Sequence, residues 1–246
     1  MRGGFKMTEL KLEFLLEKPE LPIEIDKVIV SFFKTSIQNY SEELFEKLYT
    51  KKKSVLKKYC FANYLPGALF TPEKILLKDK KFFMTFSTID MEELFHFYNA
   101  FSLMKQMRYN MNQNSMKLVS IKTQKLKEIE DIEIIVKMQS SLIVRAHDGN
   151  TNTDIYYSCE NPEFADVAKE NLRIFLQKLD IPMDISNFSI TPVKAKKVVT
   201  KVFGRWVDGS IGIFRLTGSV ELLNLLHAAG CGTRRSEGHG KWTIVY

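Results

Sequence analysis

The sequence is poor in the residues that build metal centres and disulfide frameworks. Its three cysteines, Cys60, Cys159 and Cys231, lie far apart, with no CxxC pair and no histidine at ligand spacing. This spacing argues against a zinc site and suits a reducing compartment, so we expect no metal and no other cofactor. Histidine is scarce as well, because there are four in the chain and none precedes residue 96.

Long apolar runs are also missing. No stretch approaches the roughly 18 consecutive apolar residues that indicate a membrane-spanning helix, and residues 1–6 lack the apolar centre of a secretory signal. The composition, 45% hydrophobic and 26% charged, is ordinary for a globular protein. We therefore expect a cytoplasmic protein with no membrane partner, whose 246 residues can bury one large core or two smaller ones.

Positive charge is what the sequence has in excess, and it is concentrated near the C-terminus. Residues 191–246 carry nine Lys and Arg against three Asp and Glu, whereas the first 190 residues hold 27 basic and 26 acidic residues. Most of the net charge of +7 therefore lies in the last quarter of the chain. Clustered positive charge favours polyanions, most often nucleic acid, although a basic face that meets only solvent is the alternative.

The hydrophobic pattern indicates two similar units in tandem. In order, the first half predicts strand 8–16, helix 25–37, a short helix at 42–49, strand 59–65, a hairpin of 74–77 with 82–87, helix 90–107 and strand 115–123. The second half predicts strands 132–138, 142–147 and 155–159, a helix from 161 to 179, β-rich pieces within 185–203, strand 211–216, helix 218–229 and a final strand 242–246. This order predicts an α+β fold of two ferredoxin-like (RRM-like) domains, residues 1–127 and 128–246.

The loop between the last predicted helix and the last predicted strand is the most informative segment. Residues 230–240 contain four glycines (Gly230, Gly232, Gly238 and Gly240) and two adjacent arginines. Glycines let backbone N–H groups approach a ligand closely, and Arg234 and Arg235 would supply forked donors for phosphate. The loop therefore predicts a cradle for an RNA backbone, while a flexible connection without a ligand remains the alternative.

Several phrases together resemble a known family. They are Phe86–Asp90, Val144–Tyr157, Lys196–Val199 and Gly212–Gly218, the last leading into the glycine-rich loop. The chain resembles the CRISPR-associated endoribonuclease that processes repeat RNA, within the superfamily of repeat-associated RNA-binding proteins that have a C-terminal glycine-rich loop. The resemblance implies two ferredoxin-like folds and metal-independent cleavage of precursor CRISPR RNA within each repeat. The 2′-OH would attack the adjacent phosphate, leaving a 2′,3′-cyclic phosphate and a 5′-OH.

The resemblance also directs attention to residues 40–58, where many family members carry a histidine and this chain has none. We expect Lys57 to stabilise the phosphorane, because it aligns with the family lysine that faces the scissile phosphate. Tyr40 and Tyr49 are candidates for the base or the acid. Lys51, with Lys52 and Lys53, could lower a tyrosine pKa toward a useful range. The missing histidine leaves open that the protein is a catalytically weak or inactive RNA-binding subunit of a CRISPR ribonucleoprotein.

RNA binding is assigned to the basic last quarter of the chain. Besides the loop glycines, the candidate residues are Arg234, Arg235, His239, Lys194, Lys196, Lys197, Arg205 and Arg215. His239 stands where the family usually has an aromatic residue, so it is expected to be a planar substitute or to contact RNA. His96 and His227 are expected to be partly buried helix residues, and His147 to be an ordinary surface histidine. Phe95, Phe97 and Phe101 are expected to belong to the core. The expected partner is CRISPR repeat RNA, with other effector subunits and a homodimer left open.

Overall fold

The computed structural model describes residues 7–49 and 55–246. The chain divides into two compact units, Met1–Leu126 and Lys127–Tyr246. Each unit is described separately below.

In the first unit, the described residues form a sheet covered by helices, together with a smaller sheet. The elements are β1 Thr8–Leu16, β2 Glu20–Pro22, α1 Ile25–Tyr40, α2 Glu42–Tyr49, β3 Tyr59–Tyr64, β4 Leu69–Phe70, β5 Lys74–Leu76, β6 Lys81–Thr88, α3 Met91–Leu103, β7 Arg108–Met111 and β8 Asn114–Lys125. The main sheet has the order β3-β6-β1-β8-β7, and its strands pair antiparallel. Without the added β7, this is the order of a ferredoxin-like fold, with β1 and β6 in the centre.

Aromatic side chains fill the core between this sheet and helices α1 and α3. Helix α1 buries Ile29, Phe33 and Ile37, whose spacing of four places them on one face of the helix. The Phe33 ring lies within 6 Å, centroid to centroid, of five other aromatic rings: Tyr59, Phe61, Phe86, Phe97 and Phe101. Burying one such side chain stabilises the fold by about 1.5–3 kcal/mol. This packing fixes the position of α1 and α3, which carry candidate site residues.

Three expectations for this unit are wrong in detail. Residues 74–77 and 82–87 do not form a hairpin, because β5 pairs with β2 and β4 in the smaller sheet, whereas β6 pairs with β1 and β3. Helix α3 ends at Leu103, four residues before the expected end, and strand β7, at Arg108–Met111, was not expected. Phe95 is exposed rather than part of the core.

In the second unit, the described residues repeat the same order. The elements are β9 Glu133–Met138, β10 Val144–Asp148, β11 Thr153–Tyr157, α4 Phe164–Leu179, β12 Ser189–Val202, β13 Arg205–Thr217, α5 Val220–Ala229 and β14 Trp242–Ile244. The main sheet has the order β12-β13-β9-β14, and β10 and β11 form a separate two-stranded ribbon. The second unit is therefore ferredoxin-like with a ribbon inserted between its first strand and first helix, and the α+β, double ferredoxin-like fold is confirmed.

Strands β12 and β13 form a long hairpin of which only part belongs to the sheet. Strand β9 pairs with residues Ile213–Thr217 of β13, while the β12–β13 pairing continues to Val202 and Arg205. A bulge at Pro192/Lys194 lies near Gly212, whose φ of +130° and close approach to the Lys194 carbonyl would exclude a side chain. Among the helices of the described residues, none is both long enough and apolar enough to cross a membrane.

Candidate nucleic-acid interface and candidate active site

The glycine-rich loop is folded onto the chain segment that follows β9. Thr233 pairs with Ile143 as a β-bridge, and the N–H of Gly240 donates to the Ser141 carbonyl over 2.9 Å. Side chains on Gly232 and Gly240 would overlap the Ile143 and Cys231 carbonyls, and both glycines have φ near +75°. The glycines are therefore required by close backbone packing within the second unit.

Backbone N–H groups of the loop are largely used in this folding. The N–H of Cys231 donates to Gly240 O over 2.8 Å, that of Thr233 to Ile143 O over 2.8 Å, and that of Lys241 to Ser140 Oγ over 3.1 Å. The open cradle of N–H donors expected from the sequence is thus mostly closed. The loop instead holds its central residues, 233–237, in a fixed turn that ends in a short 3₁₀ helix, Arg235–Glu237.

The two loop arginines are held by neighbouring side chains. Arg234 lies 3.1 Å from Glu237 Oε1 and 3.9 Å from Asp154 Oδ2, and its side chain is 30% exposed. The Arg235 guanidinium stacks on Phe175 of α4, 3.3 Å from the ring centroid. Both positive charges are therefore positioned in advance, with Arg234 already partly neutralised by carboxylates.

His239 is a structural residue in this arrangement. It is 2% exposed, and its Nδ1 lies 2.9 Å from the hydroxyl of Ser141. Burial, together with the nearby Arg234 charge, lowers the pKa of His239 to about 4, so the ring is neutral at physiological pH. His239 is sealed inside the loop, and its ring is not available to stack on RNA in this conformation.

Exposed cations on the β12–β13 hairpin form the open basic surface of the second unit. Lys194, Lys196 and Arg205 are exposed, whereas Lys197 pairs with Asp208 at 2.7 Å and Arg215 lies 3.4 Å from Glu133. We call the set Lys194, Lys196, Lys197 and Arg205 the hairpin cations. Exposed lysines and arginines on a projecting ribbon are suited to phosphate contacts.

In the first unit, the described residues enclose a cleft of about 140 Å³ beside the end of α2. Helix α2, residues 55–58 and the N-terminal part of α3 form it. Its charged and titratable lining residues are Lys47, Lys58, Asp90, Glu92, Glu93 and His96. We call it the α2–α3 cleft. Tyr40, Tyr49 and Lys57 lie near this cleft, while Lys51 lies outside the described residues.

Lys57 anchors the chain to the end of α2. Its Nζ donates to the Leu48 carbonyl oxygen and lies 4.8 Å from the centroid of the Tyr49 ring. Burial lowers the pKa of Lys57. Tyr49 itself shares a 3.2 Å hydrogen bond with the Tyr59 hydroxyl, and burial raises the pKa of Tyr49. Tyr49 is thus less suited to act as a base than the sequence suggested, because a raised pKa disfavours the phenolate.

Tyr40 is in contact with a histidine. Its hydroxyl lies 3.4 Å from Nδ1 of His96, which projects from α3, and the two ring centroids are 5.8 Å apart. The side chain of His96 is 29% exposed, and its Nε2 lies 3.7 Å from a Glu92 carboxylate oxygen. His96, which belongs to α3, therefore lies next to a residue of the segment 40–58, which itself contains no histidine.

The start of α3 adds further charged groups to the α2–α3 cleft. Asp90 caps the helix by accepting from the N–H groups of Glu92 and Glu93, and its other oxygen pairs with Lys58 Nζ at 2.8 Å. Glu93 accepts a 2.9 Å hydrogen bond from Thr88 through Oε2, whereas its Oε1 is buried and has no hydrogen-bond partner among the described residues. Burial raises the pKa of Glu93 to about 7.

Sequence reasoning did not select Lys58, Asp90, Glu93 or His96 for this cleft. Asp is a common N-cap residue, but no local pattern indicates that the first turns of α3 face α2 and residues 55–58. Within residues 7–49 and 55–246, there is no group of three or more His, Cys, Asp or Glu side chains arranged to hold a metal ion. The other histidines are elsewhere in the fold: His227 is buried against Trp242, and His147 is paired with Asp154.

The chain is thus a double ferredoxin-like protein with a glycine-rich loop before its last strand. A family model described as CRISPR-associated protein Cas6, C-terminal, matches residues 121–244, which is half of the chain. The protein belongs to the Cas6 family, whose members are CRISPR-associated endoribonucleases. No curated protein sequence matches the chain significantly.

Solved structures share the fold of the entire chain. One, described as a RAMP protein binding different RNA substrates, has a TM-score of 0.83 at 18% identity and covers 97% of this chain and 100% of its own. Another, a Cas6-related protein from Pyrococcus furiosus, has a TM-score of 0.84 at 18% identity, covering 97% and 98%. A third, a CRISPR-associated Cas6 protein, has a TM-score of 0.75 at 15% identity, covering 98% and 100%. At these identities the likeness establishes the fold.

Proposed function

We propose that the protein is a metal-independent endoribonuclease that binds CRISPR repeat RNA and cleaves precursor CRISPR RNA within the repeats. The observation that carries this proposal is the Cas6 family match over residues 121–244, which includes the glycine-rich loop and the hairpin cations. Cleavage proceeds by attack of the ribose 2′-OH on the adjacent phosphate. The products carry a 2′,3′-cyclic phosphate and a 5′-OH.

The second unit binds the RNA in this proposal. Lys194, Lys196 and Arg205 contact phosphates, because they are exposed on the β12–β13 hairpin. Arg234 and Arg235 add donors from a turn that the loop glycines hold in place. Held donors lose little conformational entropy on binding, which favours a defined RNA geometry.

The first unit carries out the reaction. A base must accept the 2′ proton, an acid must protonate the leaving oxygen, and a cation must stabilise the phosphorane. Tyr40 lies beside the α2–α3 cleft, where its hydroxyl contacts His96 and can exchange a proton. Lys57 is the candidate cation, and it would act from its position over Tyr49, while Lys58 supplies a second positive charge in the cleft.

Cleavage of a repeat RNA in the presence of EDTA tests the proposal. We expect one discrete cut, with a 5′ product whose 3′ end resists polyadenylation until the cyclic phosphate is removed. A scrambled RNA of the same length is the control for specificity. Tight binding without any cleavage would refute the enzyme and leave an RNA-binding subunit.

The proposal extends to partners and location. The protein acts in the cytoplasm, where it delivers processed RNA to other CRISPR effector subunits or works as a homodimer. Light scattering of the protein alone and with RNA distinguishes a monomer from a dimer.

A further inference from the structure

His96 differs from the other three histidines in its surroundings. His227 and His239 are buried, and burial lowers the pKa of each to about 4, so both are neutral and inaccessible. His147 is exposed, but its Nδ1 is bound to Asp154 at 2.9 Å. His96 lines an open cleft, is partly exposed, and has a tyrosine hydroxyl beside one ring nitrogen. Histidine is the side chain best suited to exchanging protons near neutrality.

The groups around His96 suit a site that handles phosphate and protons. Tyr40 faces Nδ1 from α1, and Glu92 on the same helix lies 3.7 Å from Nε2. The other charged groups facing the cleft are Lys47 from α2, Lys58 from the segment before β3, and Asp90 and Glu93 from the start of α3. Lys47 and Lys58 lie on two sides of the cleft, and a phosphate that binds Lys58 must compete with its 2.8 Å ion pair to Asp90. The Glu92 carboxylate can stabilise an imidazolium.

We infer that His96 is a catalytic residue of the α2–α3 cleft, accepting the 2′ proton while Tyr40 protonates the leaving oxygen. This role rests on the proposed function. In it, His96 takes the place of the histidine that residues 40–58 lack. The contact that carries it is the 3.4 Å distance between His96 Nδ1 and Tyr40 Oη. These residues lie 56 positions apart in the sequence and meet because α1 packs on α3.

The proton transfers balance with these two residues alone. The 2′ oxygen forms a bond to phosphorus and gives its proton to Nε2 of His96. The bond from phosphorus to the 5′ oxygen breaks, and that oxygen takes the phenolic proton of Tyr40. The Nδ1 proton of His96 then passes to Tyr40 Oη, so both residues return to their neutral forms. No other acid, base or oxidant is consumed.

Single-turnover cleavage by His96→Gln, with saturating repeat RNA and EDTA, tests the inference. Because positioned acid–base catalysis contributes about 100-fold or more, we expect the rate to fall by at least about 100-fold. The RNA dissociation constant should stay within about twofold, because His96 contributes no fixed charge to phosphate binding.

A structural role for His96 is tested by chemical rescue. Added imidazole should restore part of the rate of His96→Ala, which a merely misfolded variant would not allow. His147→Gln is the matched control, since it removes an exposed histidine outside the cleft and should cleave at the rate of the unmodified protein.

The outcomes separate the two claims. A His96→Gln variant that cleaves within about threefold of the unmodified protein overturns the role of His96 and leaves the proposed function intact. An unmodified protein that binds repeat RNA without cutting it refutes the proposed function and this role together. Loss of activity in His96→Ala without any imidazole rescue also counts against proton transfer by His96.

Discussion

Glu93 should make the first unit less stable as the pH rises toward neutrality. Its carboxyl is buried beside Thr88, and burial raises its pKa from 4.5 to about 7. The folded protein therefore holds a proton that the unfolded chain releases between these two pH values. Since the native state then binds more protons than the unfolded state, stability falls as pH increases through this window and levels off above about pH 7.

The size of the effect follows from the shift. Each unit of pKa difference corresponds to about 1.4 kcal/mol, so a rise from 4.5 to about 7 gives an upper limit of about 3 kcal/mol above pH 7. Glu93→Gln removes the ionisation while its amide oxygen can still accept the hydrogen bond from Thr88. The variant should be more stable than the unmodified protein at about pH 8, by up to about 3 kcal/mol, and should lose this advantage near pH 4.5.

Urea unfolding at a series of pH values measures this difference directly. Glu46→Gln is the control substitution, because Glu46 is an exposed glutamate on α2. The reasoning is wrong if Glu93→Gln and the unmodified protein show the same pH dependence between about pH 5 and 8. It is also wrong if the variant is relatively more stable at the acidic end.

Three further predictions concern the loop, the hairpin and the lysine near the cleft. Gly240→Ala should destabilise the second unit by about 2 kcal/mol or more in thermal unfolding, because its methyl group would overlap a carbonyl at positive φ. Gly149→Ala, whose added methyl group would meet no atom of the described residues within 4 Å, should change stability by less than about 0.5 kcal/mol. Lys196→Ala should weaken repeat-RNA binding and lower the salt dependence of the binding constant by about one unit, and Lys122→Ala in the first unit should leave both unchanged. Lys57→Ala should reduce the cleavage rate at saturating RNA by about 100-fold. An unchanged rate would show that Lys57 only anchors its segment to the end of α2.

The fold was largely predictable because the hydrophobic pattern of each element is strong. Helix α1 and strand β1 begin at the residues that their periodicity indicates. The prediction of a hairpin with its turn at residues 78–80 was wrong. A turn pattern shows where the chain reverses, but it does not identify the partner of each strand. Strand β5 pairs with β2, some 55 residues earlier, and this pairing depends on tertiary packing.

The candidate site was less predictable than the fold, because its contacts join distant parts of the sequence. The composition of the glycine-rich loop made it recognisable in the sequence. Its folding onto the chain after β9 could not be predicted, because its partners Ser141 and Ile143 lie about 90 residues or more earlier. His96 was interpreted as a helix residue with apolar neighbours. Its contact with Tyr40 requires that α1 and α3 pack side by side, and no local pattern carries this information.

The structure changes the relative importance expected of the loop and the hairpin. A phosphate that binds Arg234 must compete with Glu237 and Asp154, which already neutralise much of its charge. Lys194 and Lys196 on the hairpin are exposed, and none of the contacts described places a carboxylate beside them. A phosphate that binds these lysines therefore competes only with solvent and salt ions. The hairpin should therefore supply most of the salt-dependent affinity, while the loop arginines, held at fixed angles, should contribute more to the geometry in which RNA is bound.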